Sequence, residues 1–184
     1  MANTITGLRI LLVFPFAATF FLSADWAMDA AFAVYVLAAA TDFLDGLVAR
    51  ARGEVSALGA ALDPVADKIL VAAALLLLTR NGVVAGAGVF AAILIIAREF
   101  LIGGLREALG PRGAALPVSP LAKIKTGAQL VAVGLLIAAA PGGVIGPALL
   151  PLAAGALWVA VALTVWTGAD YARRAAALLK TRPS

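Results

Sequence analysis

The chain has 184 residues, 64% of them hydrophobic and only 13% charged, with a formal net charge of +4 and a mean hydropathy of +1.06. A soluble domain carries about 45–50% apolar and about 25% charged residues, and one this small has too little interior to hide so much apolar surface. The composition excludes a soluble globular fold and makes lipid the solvent. There are no cysteines and no histidines. Disulfides, thiolate or imidazole metal sites and phosphohistidine chemistry are excluded with them, and a metal centre must use oxygen ligands, which suit Mg²⁺, Mn²⁺ or Ca²⁺. The absence of any G-x-x-x-x-G-K-[ST] run argues against a P-loop.

A membrane span needs about 20 mostly apolar residues. In chain order the hydropathy predicts six: Ile5–Leu22, Met28–Val48, Ala61–Leu78, Val83–Gly104, Leu121–Ala140 and Ile145–Ala169. The fold class is therefore an all-α integral membrane protein, a single domain over 1–184 built as a six-transmembrane-helix bundle. Arg9 interrupts the first span and no small-residue cleavage site follows it, so a cleavable signal peptide is not expected. The loop Ser23–Met28 holds Asp25 and no Lys or Arg, and Ala140–Gly146 holds no charge. Facing them are Arg50, Arg52, Arg106, Arg112, Lys123 and Lys125, with Arg173, Arg174, Lys180 and Arg182 in the tail; only Arg80 falls on the other side. The positive-inside rule makes both termini cytoplasmic. The basic excess then reads as topology and attraction to anionic membrane lipids, with no nucleic-acid partner. Ala108–Pro120 is a turn-rich loop, Arg173–Ser184 a short amphipathic or frayed tail, and Gly82-x-x-x-Gly86 and Gly142-x-x-x-Gly146 are expected to support close helix packing.

Four acids stand out at membrane depth. Asp42 and Asp45 lie near the cytoplasmic end of the second span, and Asp63 and Asp67 open the third. A charged side chain at the centre of a span costs about 2.5–3.5 kcal/mol on insertion scales, less near the interface, so four together require cations. Spacings of three and four put each pair on one helix face, and the short loop Ala51–Ala60 returns the third span beside the second. Two divalent ions about 3.5–4 Å apart would neutralise such a cluster and form a centre for phosphoryl displacement. Gly46 and Gly59 leave room for a diphosphate to approach the backbone, Ala49 is similarly small, and Arg50 is placed to hold a carboxylate or a phosphate oxygen. A solvated interfacial acid or a Lys68–Asp67 ion pair would account for one of these residues, but not for four at paired helical spacing. A cation transporter also carries intramembrane acids. It would spread them along a path, whereas these cluster with Gly46, Arg50 and Gly59.

Residues 42–67 read Asp42-x-x-Asp45-Gly46-x-x-Ala49-Arg50-x8-Gly59-x-x-x-Asp63-x-x-x-Asp67. This resembles the complete signature of the CDP-alcohol phosphotransferases, with every position filled. Asn3-Thr4-Ile5-Thr6-Gly7-Leu8-Arg9 resembles the N-terminal element of bacterial members, except that the usual Pro before Asn is Ala2. Ala97–Ile102, Gly104–Glu107 and Ala122–Gln129 are similar to the fourth and fifth helices of members that use glycerol 3-phosphate; beyond about Ala138 the match is unspecific.

The resemblance implies a homodimer in a bacterial inner membrane, with a polar cavity open to the cytoplasm and two divalent cations, Mg²⁺ or Mn²⁺. By the same carry-over Asp42, Asp45 and Asp63 ligate metal, and Asp67 ligates metal and serves as general base. Gly46, Ala49, Arg50 and Gly59 line the CDP-diacylglycerol site, bordered by Asn3, Thr6 and Arg9. The acceptor it implies, glycerol 3-phosphate, is a dianion and wants a cationic pocket, for which Arg98, Arg106, Lys123 and Lys125 are the candidates. As ordinary alternatives, Arg106 and Lys123 would be membrane-boundary anchors and Arg98 would pair with Glu99 or Glu107. Inositol phosphate or phosphatidylglycerol as acceptor stays open at this point.

Overall fold

The computed structural model describes the backbone of residues 2–52, 57–110 and 119–180 and the side chains of 7–41, 65–66, 68–110 and 119–178. Six α-helices follow one another: α1 (Ala2–Thr19), α2 (Ala27–Arg52), α3 (Ala57–Arg80), α4 (Ala87–Leu109), α5 (Pro120–Ala138) and α6 (Leu150–Lys180), the last preceded by a 3-10 turn at Pro147–Leu149. There is no strand among the described residues.

Local chemistry sets the helix ends. Gly82, Gly86, Gly142 and Gly146 all adopt positive φ, at 73°, 53°, 79° and 73°, a conformation that costs glycine little and stops a helix. They are turn residues between helices, which overturns the expectation of helix-packing motifs. An added Cβ at Gly82, Gly86 or Gly146 would touch nothing within 4 Å, so no close approach is being accommodated there. At the start of α5, Ser119 accepts a hydrogen bond from the backbone N–H of Ala122 at 3.2 Å, and Pro120 opens the first turn.

Of the two readings of the tail, amphipathic or frayed, the frayed one is corrected over residues 173–180. Residues 173–180 continue α6, because Tyr171 and Ala175 are buried with Ile102 and Leu109 of α4 and Arg174 pairs with Asp170 at 2.9 Å. Tertiary burial extends this helix beyond its apolar run. Residues 181–184 lie outside the described residues, as does 111–118 of the turn-rich loop.

The helices pack as two linked groups. α6 lies against α4 and α5, α1 lies against α2 and α3, and α3 and α2 join the groups through α4 and α5. The core holds Phe16 edge-on to Phe20, with ring centroids 5.2 Å apart, and tilted against Tyr35 at 6.0 Å. The Tyr35 hydroxyl donates to Leu130 O of α5 at 3.0 Å. Leu75, Leu78, Ile95, Val133, Leu136 and Leu157 complete the core. The outer surface is apolar as well: Phe14, Leu101 and Trp166 are 69%, 71% and 70% exposed, which suits a lipid environment. Among the described residues, three segments are long and apolar enough to cross a membrane: Ala87–Leu109, Pro120–Ala138 and Pro147–Leu178. Gly7–Thr19 and Ala27–Thr41 are shorter apolar helices.

Because the connections are short, consecutive helices run antiparallel. The start of α1, the end of α2, the start of α3, the end of α4, the start of α5 and the end of α6 therefore share one end of the bundle. Among the described residues, the buried charged side chains Arg9 and Lys125 lie in that half.

Candidate functional site

At that end α4, α5 and α6 enclose a polar array. Glu99 on α4 presents one oxygen, Oε1, to three donors: Lys125 Nζ at 2.5 Å, Arg98 Nη1 at 3.1 Å and Gln129 Nε2 at 3.4 Å. Lys125 and Gln129 stand four residues apart on one face of α5, and both are 3% exposed. Arg98 Nη2 donates to Thr167 Oγ1 at 3.1 Å, and Gln129 Nε2 donates to Thr164 Oγ1 at 2.9 Å.

Those threonines can accept because of where their own protons go. Thr164 Oγ1 donates to Ala160 O at 2.6 Å, and Thr167 Oγ1 donates to Leu163 O at 2.8 Å. Back-bonding to the preceding turn satisfies the hydroxyl donor and leaves the lone pairs free for a neighbouring helix. Tyr171, one turn further along α6, lies under the Arg98 guanidinium at 5.9 Å and accepts from the Ser119 N–H at 3.2 Å. The end of α4 and the beginning of α5 are thus tied to the same face of α6.

A third cation stands close by. Lys68 of α3 places its Nζ where a Cβ on Gly103 would fall, one turn along α4 from Glu99. Among the described side chains the array holds Arg98, Lys125 and Lys68 against the single carboxylate of Glu99. In a low-dielectric setting such an excess of positive charge favours an anionic ligand.

Of the candidate acceptor residues, Arg98 and Lys125 meet in this array, whereas Arg106 and Lys123 are exposed on α4 and α5. The ion pair between Arg98 and Glu99 weighed as the ordinary alternative is present, as one link in a larger network. Sequence reasoning missed Glu99 as a hub and missed Gln129, Thr164 and Thr167. Their signal was polarity inside an apolar span.

Arg9 is buried, 1% exposed, on the helix that packs against both α2 and α3. Asn3, Thr6, Asp42, Asp45, Gly46, Ala49, Arg50, Gly59, Asp63 and Asp67 lie outside the described side chains, and only their helix positions are given. Asp42 and Asp45 fall one turn apart on unbroken α2, and Asp63 and Asp67 one turn apart on α3. Among the described residues no group of three or more acids, His or Cys gathers as a metal site. The paired aspartates are all-oxygen donors on adjacent helical turns, a set that fits Mg²⁺ or Mn²⁺.

Comparison with known proteins bears on the family of the chain. A family model described as CDP-alcohol phosphatidyltransferase matches residues 1–166. A protein of Rickettsia bellii is 37% identical over 177 residues, covering 93% of this chain and 92% of its own length. One from Pseudomonas fluorescens is 39% identical, covering 97% and 91%, and one from Bacillus subtilis is 37% identical, covering 98% and 97%. All three are named CDP-diacylglycerol–glycerol-3-phosphate 3-phosphatidyltransferase. With its buried cations, its aspartate pairs and a match over nearly the whole length, the chain belongs to the CDP-alcohol phosphatidyltransferase family.

Proposed function

We propose that the protein transfers the phosphatidyl group of CDP-diacylglycerol to glycerol 3-phosphate and releases CMP. The observation that carries this acceptor choice is the pairing of part-buried Arg98 and buried Lys125 on the single Glu99 carboxylate, with Lys68 on the neighbouring helix, at the end of the bundle where the aspartate motif lies. A phosphomonoester dianion matches that charge, and a neutral alcohol does not. The names of the full-length relatives support the same acceptor.

In the reaction, the acceptor hydroxyl gives its proton to the Asp67 carboxylate and its oxygen attacks the lipid-side phosphorus. A new P–O ester bond forms as the bond to the bridging diphosphate oxygen breaks, and CMP leaves with that oxygen. Asp42, Asp45, Asp63 and Asp67 would hold two divalent cations, Mg²⁺ or Mn²⁺, which when bound supply charge neutralisation to the diphosphate and the departing CMP. Gly46, Ala49 and Gly59 let the diphosphate approach the helix backbones, and Arg50 binds its oxygens. Asn3, Thr6 and Arg9 border that site. Arg98 and Lys125 hold the acceptor phosphate, while Arg106 and Lys123 at the exposed helix ends draw the dianion inward.

The same reading gives six membrane-crossing helices with cytoplasmic termini, an inner-membrane location and a homodimer. The deciding experiment supplies purified protein with CDP-diacylglycerol, Mg²⁺ and a panel of alcohols and follows CMP release. Turnover with glycerol 3-phosphate is expected. Preference for inositol phosphate or phosphatidylglycerol would move the protein to another acceptor, and cation flux without CMP release would make it a transporter.

A further inference from the structure

Five residues from three helices close into one ring of hydrogen bonds, completed through the backbone carbonyl of Thr164. From Glu99 it runs through Arg98 to Thr167, whose hydroxyl also lies 3.2 Å from Thr164 O. From Thr164 it returns through Gln129 to Glu99. Lys125 joins the ring at the Glu99 oxygen. We propose that Glu99 is a positioning residue for the transfer reaction, holding Arg98 and Lys125 in a fixed arrangement for the acceptor phosphate before it binds. This role rests on the acceptor assigned above.

The physical case begins with cost. A buried ion pair is seldom more stabilising than apolar packing of similar volume, so helix adhesion alone gives no reason for a carboxylate at this depth. Two cations meet on one oxygen here, and without Glu99 their mutual repulsion would drive the long, rotatable Lys125 away from Arg98. Glu99 holds Arg98 and Lys125 together with a single oxygen. Each cation keeps further N–H donors: Lys125 has three and Arg98 five, of which the array uses one and two. The remaining donors are thereby preorganised for an anion, which spares the ligand the entropy of ordering them.

The test is steady-state kinetics of purified Glu99→Gln and Gln129→Leu in detergent or lipid nanodiscs, varying each substrate separately. Glu99→Gln should raise KM for glycerol 3-phosphate about tenfold or more, equivalent to about 1.4 kcal/mol or more, with KM for CDP-diacylglycerol within about twofold of wild type. Gln129→Leu, which cuts the tie to α6 and leaves the ion pair, should shift KM in the same direction by a smaller factor. Should Glu99→Gln not fold, Glu99→Asp keeps the charge but moves it back by one methylene, and the same selective rise is expected. A lowered KM for glycerol 3-phosphate would overturn the proposal, because Glu99 would then be competing with the phosphate. Equal shifts for both substrates would reduce it to a packing residue. Wild-type protein that does not turn over glycerol 3-phosphate would remove the functional reading and this role together, whereas active wild type with unmoved KM values in the variant would remove this role alone.

Discussion

The Arg98 side chain crosses α6 at Gly168, where an added Cβ would stand 3.1 Å from Arg98 Cγ and 3.4 Å from Nε. Gly168 thus provides the slot through which the guanidinium reaches Thr167 and Glu99. In Gly168→Ala the new methyl meets a flexible side chain and no backbone, so Arg98 shifts and the fold yields little. The thermal unfolding midpoint should stay near wild type, with a stability change within about 1 kcal/mol. KM for glycerol 3-phosphate should rise by roughly fivefold, as a loss of about 1 kcal/mol implies, while KM for CDP-diacylglycerol should hold.

Removing the guanidinium altogether is more severe. Arg98→Ala breaks the links to Glu99 and Thr167, and losing a hydrogen bond to a charged group costs about 1.5–3 kcal/mol. Expected is a rise of at least tenfold in KM for glycerol 3-phosphate, well above any change for CDP-diacylglycerol. Arg106→Ala and Lys123→Ala should each change it by a few-fold at most and make the rate more salt-dependent, since exposed charges act mainly by steering. Kinetics of the three variants at low and high salt check the ranking.

What the sequence disclosed and what it withheld divide along physical lines. Helical class, helix number and the two cations Arg98 and Lys125 within apolar spans were legible, because hydropathy is a property of contiguous residues and a cation inside an apolar span is conspicuous. The helix-packing reading of Gly82, Gly86, Gly142 and Gly146 failed because spacing cannot distinguish a glycine that admits a neighbouring helix from one that takes positive φ. The extension of α6 to Lys180 was hidden because it depends on Tyr171 and Ala175 meeting Ile102 and Leu109 of α4, partners some 70 positions away in the chain. Thr164 and Thr167 were illegible for the same reason. A threonine in a span bonds its own helix by default, and only the packing of α5 and α4 on α6 turns it into an acceptor.

The assignment of Asp67 as the base makes a sharp kinetic demand. Asp67→Asn preserves size and removes the proton acceptor, so turnover should be lost to background while CDP-diacylglycerol binding is weakened but measurable. Chelation of divalent cations should likewise stop wild-type turnover, with recovery on adding Mg²⁺ or Mn²⁺. CMP release and equilibrium binding of the CDP-lipid, measured on the same preparation, separate the two effects. Full activity in Asp67→Asn would take this residue out of the proton transfer.

At the far end of the bundle, Gly143 offers a stability prediction that should leave catalysis alone. A Cβ there would stand 2.5 Å from Ala138 O and 2.7 Å from Ile137 O. These carbonyls are already engaged: Ala138 O accepts from the Ile145 N–H at 3.0 Å and Ile137 O from the Ala140 N–H at 3.2 Å, which closes the turn after α5. Unlike the Arg98 side chain beside Gly168, backbone atoms held by two such bonds cannot move aside without breaking the turn. Gly143→Ala should therefore destabilise the fold by about 1–3 kcal/mol, read as a lower Tm in detergent. KM for both substrates should be unchanged in the folded fraction, because the turn follows the end of α5, whereas Lys125 lies near its start and Gln129 at its middle. A variant with wild-type Tm would show that the connection between α5 and α6 tolerates a different path.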